Sequence, residues 1–513
     1  MSNALAVLRR AYEDSVIFRF LAFWNRRWHE SLLYAILSRL LSLPCADEGS
    51  RVRRGLDRFN LRLSRAAGFR AAVDGSLLRR IWAPILRVGR ESRLLGWVFR
   101  EGFTGVLLLL LALYTPIDYL LRDVFSIPVV SSGWDEGLLI LALLWIIVQR
   151  TREQPARLSS SSPLDLPVAF FLGMCLALFI IRLRLVPINI AGLRATAQYI
   201  LWFFLATRLI RSERQCKLVY YVMIGVAAVI ALHGIYQFIV AAPIPEHWTD
   251  QAESAVRTRV YSIFGSPNIM GDFMVMFAPM TAALAYVFKN KYAKLGCWFI
   301  TFTMCFSCLF TMSRGAWVAL VVAILIFAVL VDRRLLVLMA GAFVVAMFLP
   351  FVANRIGYLF TEEYAASSAR GGRSVRWEQA MVYLKASSPT FGIGFGMFGG
   401  AVAMQNPVST WMQYFYTDNY YVKILSENGY VGLVSFIIMM AGVLWTGIRA
   451  WFRQRKTACS PLIAGMLAGL SGVLVHCYFE NIFEEPYMAV CFWTIAAMMM
   501  YLGYIRDRAK PQE

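Results

Sequence analysis

Charge is scarce in this chain: 16% of its 513 residues are Asp, Glu, Lys or Arg, against 59% that are hydrophobic. A soluble protein of that length needs more charge to cover its surface, so a bilayer is the natural solvent. Acidic residues are the scarcer sign, 31 against 51 Lys and Arg. The net charge of +20 would suggest nucleic acid in a soluble protein. Here the basic residues fall in short runs between apolar stretches, as cytoplasmic loops do under the positive-inside rule, and nucleic-acid binding is not expected. Histidine is nearly absent, and His29, His233, His247 and His476 form no metal set. The nine cysteines are scattered, and Cys305-x-x-Cys308 lies inside an apolar stretch with no second pair nearby. No metal, disulfide or cofactor is therefore expected. No cleavable signal peptide is expected either, since the first apolar run is short and broken by Arg9, Arg10 and Arg19. A nucleotide-sugar site lacks its signature. There is no DxD-like cluster, and Gly392-Ile-Gly-Phe-Gly396 follows Pro389 in a loop rather than a strand.

What is present is length in apolar runs. The spacing predicts an all-α polytopic membrane protein with about twelve transmembrane helices, near 104–122, 134–149, 166–182, 187–209, 217–240, 267–288, 295–312, 315–331, 334–352, 428–447, 460–478 and 486–504. Each is long enough for a hydrocarbon core of about 30 Å. Four regions result: a basic cytoplasmic region at 1–100, nine spans within 101–352, a large extracytoplasmic loop at 353–427, and three spans plus a cytoplasmic tail within 428–513. Residues 1–100 hold nineteen Arg, no Lys and eight Asp or Glu. Segments Ser31–Leu43 and Ser76–Leu95 read as basic amphipathic helices suited to anionic headgroups.

Charge orients the spans. Basic connections follow every second one: Arg150 to Arg157, Arg208 to Lys217, Lys289 to Lys294, Asp332 to Arg334, Arg449 to Lys456, and the tail from Arg506 to Lys510. Both termini are thus expected in the cytoplasm, with the 353–427 loop outside. Function concentrates on long ordered loops carried by rigid scaffolds. A shorter outer segment runs from 242 to 265.

Several residues on that outer side can do chemistry. Arg314, in Thr311-Met-Ser-Arg-Gly-Ala-Trp317, is expected at the outer end of the seventh span, where a guanidinium either binds an anion or snorkels to headgroups. Arg370, Arg373 and Arg376 sit where the long loop begins a helix. Guanidinium forks there suit a diphosphate. Arg257 and Arg259 precede Ser262-Ile-Phe-Gly-Ser-Pro-Asn268, a second outer basic pair. Asp418, in Tyr416-Thr-Asp-Asn-Tyr-Tyr-Val422, reads equally as a general base for a sugar hydroxyl or as the N-cap of a helix. Asn268, Asn419, Glu427 and Glu480 are possible substrate contacts, and Glu480, Glu484 and Glu485 form an acidic outer patch.

At these residues the chain resembles the O-antigen ligase and polymerase superfamily. The shared pattern is Gly265-Ser-Pro-Asn268, Ser313-Arg-Gly-Ala-Trp317, Gly372 to Trp377, Pro389 to Phe398, Asp418 to Tyr421, and Glu427 to Gly432. Order, spacing and topology carry the resemblance over roughly 104–505. It implies a bacterial inner-membrane glycosyltransferase of the cell envelope, metal-independent and inverting. Such an enzyme moves a glycan from an undecaprenyl-diphosphate carrier to a sugar or lipid hydroxyl. By position, Arg314 and Arg373 match the two arginines that hold the carrier diphosphate. Asp418 stands where lipopolysaccharide ligases have His. That departure favours an O-antigen or exopolysaccharide polymerase, or a ligase for another surface glycan, over transfer to lipid A core. The alternative is a multi-span secondary transporter of a small anion or sugar, which would call for ionisable residues near the midplane and two related halves.

Overall fold

The computed structural model describes residues 96–126, 128–152, 161–243, 258–362, 372–408 and 413–509, with scattered positions between 54 and 92. The expected helix Ser31–Leu43 lies outside the described residues, as does most of Ser76–Leu95. Every regular element among the described residues is helical. That is the requirement a hydrocarbon solvent imposes, because each backbone N–H and C=O must find its partner within its own segment.

The principal helices are α1 (Gly102–Ala112), α2 (Pro128–Arg152), α3 (Asp165–Ile181), α4 (Val186–Ala197), α5 (Leu201–Leu209), α6 (Glu213–Ile239) and α7 (Pro267–Val287). After them come α8 (Lys291–Phe310), α9 (Arg314–Leu330), α10 (Arg334–Met347), α11 (Arg373–Ser387), α12 (Tyr420–Gln454), α13 (Ser460–His476) and α14 (Pro486–Met500). Five of these are long and apolar enough to cross a membrane: α6, α7, α8, α12, and α14 extended to Ile505. A sixth arises if α1 and Tyr114–Val124, bent by 68°, form one broken span. Each of the twelve apolar stretches falls largely on helix, although 334–352 breaks after Met347 and resumes at Pro350. The 187–209 stretch is not one helix, however. It divides into α4, a 3-10 turn at Gln198–Ile200, and α5. At that break the Tyr199 hydroxyl donates to Asp135 of α2 at 2.9 Å.

Helices α7 and α14 are apolar on every side and buried along their length, the pattern of a bundle centre. Their packing depends on small residues. Gly465, Gly469 and Gly472 of α13 face α7, and a Cβ at Gly469 would stand 2.2 Å from the Met276 carbonyl oxygen. Lipid offers no hydrophobic drive between helices, so such close backbone approach supplies the association through dispersion. Helix α11 lies outside this bundle and is amphipathic. Ala380 and Tyr383 bury one face against Ile393, Met397 and Phe398 of the following loop.

Candidate functional site

Three of the sequence motifs turn out to be helix starts, each with its own side-chain cap. Ser266 accepts from the Ile269 N–H and begins α7 with Pro267 in the first turn. Ser313 accepts from the Ala316 N–H and begins α9. Asn419 accepts from the N–H groups of Tyr421 and Val422 and begins α12. In each case the polar residue is there because four N–H groups at a helix start need acceptors. Each start also carries a candidate group: Asn268, Arg314 and Asp418. Arg314 was expected at the end of the seventh apolar stretch, but it is the first residue of the next helix. The cap reading of Asp418 is also corrected, because Asn419 does that work.

Asp418 is thereby released from a structural task and held in an unusual conformation, with φ at +47°. Asp is one of the few L-residues that tolerate the left-handed region. Its carboxylate accepts from Arg376 Nη1 at 2.8 Å, and Arg373 Nε lies 3.9 Å from the same oxygen. Both arginines come from the first turn of α11, which has no capping side chain of its own. Arg376 also donates to the Tyr416 carbonyl, and Arg373 to the Phe479 carbonyl. Burial pushes the Asp418 carboxyl above the ordinary carboxylate range, against the pull of Arg376 and then Arg373. The side chain still keeps 27% of its surface exposed, enough to meet a ligand.

A second arm approaches through the turn after α13. Asn268 Nδ2 donates to Glu480 Oε2 at 2.7 Å, and Asn268 Oδ1 accepts from Arg259 Nη2 at 3.4 Å. Arg259 Nε also donates to the Thr311 carbonyl at 3.1 Å. Burial, with Arg314 nearby, brings the Arg259 guanidinium down to about 10. Burial likewise raises Glu480, and the closeness of Asp418 adds to the effect, so the two arms share one electrostatic neighbourhood. Glu485, in the same turn, is pushed up to about 7 by burial. Arg314 Nη1 donates to the Arg355 carbonyl at 3.5 Å, and Arg355 Nε donates to the Met312 carbonyl at 3.0 Å.

The structure therefore gathers Asp418, Arg373, Arg376, Arg259, Arg314, Asn268 and Glu480 at one end of the bundle. Two candidates go elsewhere. Asn419 is a cap, and Glu427 turns inward to an ion pair with Lys423 at 2.8 Å. Arg257 and Arg370 lie outside the described residues. Sequence reasoning missed Arg355 and Asn481, and it met Trp377 only as the end of the Gly372 to Trp377 pattern, with no role assigned. Trp377 Nε1 donates to the Thr417 carbonyl at 2.8 Å, and the Asn481 amide donates to the Gly399 carbonyl at 2.8 Å. No periodicity or motif marked Arg355 or Asn481.

An all-helical membrane protein with guanidinium groups around a partly buried carboxylate is the class defined here. Residues 299–437 match the family model described as O-antigen ligase, and this segment supports the resemblance to the O-antigen ligase superfamily. The match contains Arg314, Arg373, Arg376 and Asp418 and ends before Glu480. No curated protein matches the chain.

Proposed function

We propose that this protein transfers or polymerises a glycan, taking it from an undecaprenyl-diphosphate carrier and attaching it to a sugar or lipid hydroxyl outside the bacterial inner membrane. The observation that carries this reading is the Asp418 carboxylate between two arginines of α11, at 2.8 and 3.9 Å. Asp418 takes the proton of the acceptor hydroxyl as its oxygen attacks the anomeric carbon. The bond from that carbon to the diphosphate breaks, and the configuration inverts. Arg373 and Arg376, with Arg314 and Arg259 on the second arm, neutralise charge on the departing diphosphate. Preorganised cations of this kind supply the largest share of such catalysis. The polyprenyl chain lies against the apolar flanks of the bundle. About twelve spans with both termini in the cytoplasm belong to the same proposal, supported by the alternation of basic connections.

The test uses purified protein in lipid vesicles, a polyprenyl-diphosphate oligosaccharide, a carbohydrate acceptor and a metal chelator. Free polyprenyl diphosphate should appear in step with a lengthened or transferred glycan of inverted configuration. Uptake of the saccharide into the vesicles without release of the carrier would favour a transporter instead.

A further inference from the structure

Lys423, Glu427 and Glu484 lie outside the reaction just described, yet they form a deeply buried ionic group near it. Their side chains are 2%, 1% and 8% exposed. Lys423 Nζ stands 2.8 Å from Glu427 Oε2 and 3.5 Å from Glu484 Oε1. Burying three charges costs free energy and is weak evidence for a role in stability. What the group ties together explains its presence better.

The three residues join three separate pieces of chain. Lys423 and Glu427 occupy the first turns of α12, just after Asp418. The second Glu427 oxygen accepts from the Phe398 N–H at 3.5 Å, and the Glu484 carboxylate accepts from the Ala401 N–H at 3.3 Å. Glu484 itself belongs to the turn that carries Glu480. Between Phe398 and Ala401, two glycines let the backbone come close. A Cβ at Gly399, where φ is +81°, would stand 2.9 Å from Thr417 Cγ2, and one at Gly400 would overlap the Glu484 carboxylate. The Gly399 carbonyl then accepts from the Thr417 N–H at 3.2 Å. Thr417 also accepts from Trp377 of α11 through its own carbonyl at 2.8 Å. Asp418 is the next residue.

We infer that Lys423, Glu427 and Glu484 form an ionic clamp of positioning residues, fixing the Phe398–Ala401 strap and the Glu480 turn so that Asp418 faces Arg376 and Arg373. This rests on the catalytic reading of Asp418, and it reassigns Glu427 from substrate contact to support. One lysine between two carboxylates holds the strap and the turn to α12 by attraction. Without the lysine the same carboxylates repel and push them apart.

Two variants of the full chain in lipid nanodiscs test the clamp: Lys423→Met, and the neutral triple variant Lys423→Met with Glu427→Gln and Glu484→Gln. The triple variant removes the repulsion and keeps the fold if Lys423→Met does not insert. Amide exchange at Phe398, Ala401 and Thr417 should quicken at least about tenfold in either variant, while α7 and α13 stay as slow as in the parent. In the transfer assay the triple variant should lose at least about tenfold in kcat with KM for the donor changed little, the mark of misplaced rather than missing groups. Unchanged exchange at those three amides, faster exchange throughout, or a fully recovered kcat in the triple variant would overturn the clamp. A parent protein that transfers no glycan, with the local exchange pattern intact, removes the glycan reading and leaves the clamp standing.

Discussion

The Asp418 carboxylate and the Arg376 guanidinium meet at 2.8 Å although 42 residues separate them, one from the first turn of α11 and one from the residue before the α12 cap. The pair is part exposed, so its direct worth to stability is small, of order 1 kcal/mol or less. Its effect on protonation is the larger matter. Burial raises Asp418, and Arg376 is the stronger of the two cations opposing that rise.

A pH dependence follows from the sign of those effects. The base must be ionised, so turnover is present above its pKa and lost as pH falls through it. Because burial wins, the acid limb of the kcat profile should lie above the ordinary carboxylate range near 4. Arg376→Gln removes a cation that lowers Asp418, so its acid limb should move to higher pH. A limb that moves to lower pH in Arg376→Gln would contradict the pairing.

Arg314 distinguishes diphosphate binding from snorkelling. Arg314→Lys keeps the charge and loses the planar fork. The variant should insert and fold normally while donor turnover drops at least about tenfold, the scale of one lost bidentate contact. Transfer by the Lys variant close to that of the parent would leave Arg314 as a headgroup anchor.

Asn419 and its neighbour should respond in opposite ways. Asn419→Ala removes the acceptor for the Tyr421 and Val422 N–H groups and should cost about 1 kcal/mol of stability. Thermal unfolding would read this as a lowered Tm. An unchanged Tm would mean that the cap contributes nothing there.

Much of this arrangement is legible in the sequence, because apolar runs, helix caps and charge spacing are local signals. The twelve apolar stretches fall largely on helix, and the helix expected to begin near Arg370, Arg373 and Arg376 appears as Arg373–Ser387. The inward turn of Glu427 had a signal too. Lys423 stands four residues before it on the same helical face, a spacing at which opposite charges meet. Other features depend on contacts between residues far apart in the chain. Asn268 and Glu480 are 212 positions apart, and Asp272 and His476, 3.0 Å apart inside the bundle, are separated by 204. The capping role passed from Asp418 to Asn419 because the two residues differ by one position and are equally good caps. Only the left-handed backbone at Asp418 decides between them.

Sidedness is open to direct labelling. Gln405, exposed in the segment before α12, and Ala458, exposed between α12 and α13, lie on opposite sides in the proposed topology. In intact cells, a membrane-impermeant thiol reagent should label Gln405→Cys and spare Ala458→Cys. The eight described native cysteines are free thiols, seven of them buried, so their background should be low. The reverse pattern would turn the protein over and remove the site from the outer face.

The central claim is that Asp418 accepts the proton of the attacking hydroxyl, and Asp418→Asn tests it most directly. Asn tolerates the same left-handed backbone and leaves the Asn419 cap in place, but it cannot take a proton. The measurement is single-turnover transfer from a polyprenyl-diphosphate oligosaccharide at saturating donor, parent against variant, with Tm and donor affinity followed alongside. Transfer should slow by at least about a hundredfold, the low end for loss of a general base, with Tm and donor affinity close to those of the parent. Transfer at the parental rate by Asp418→Asn would contradict the account.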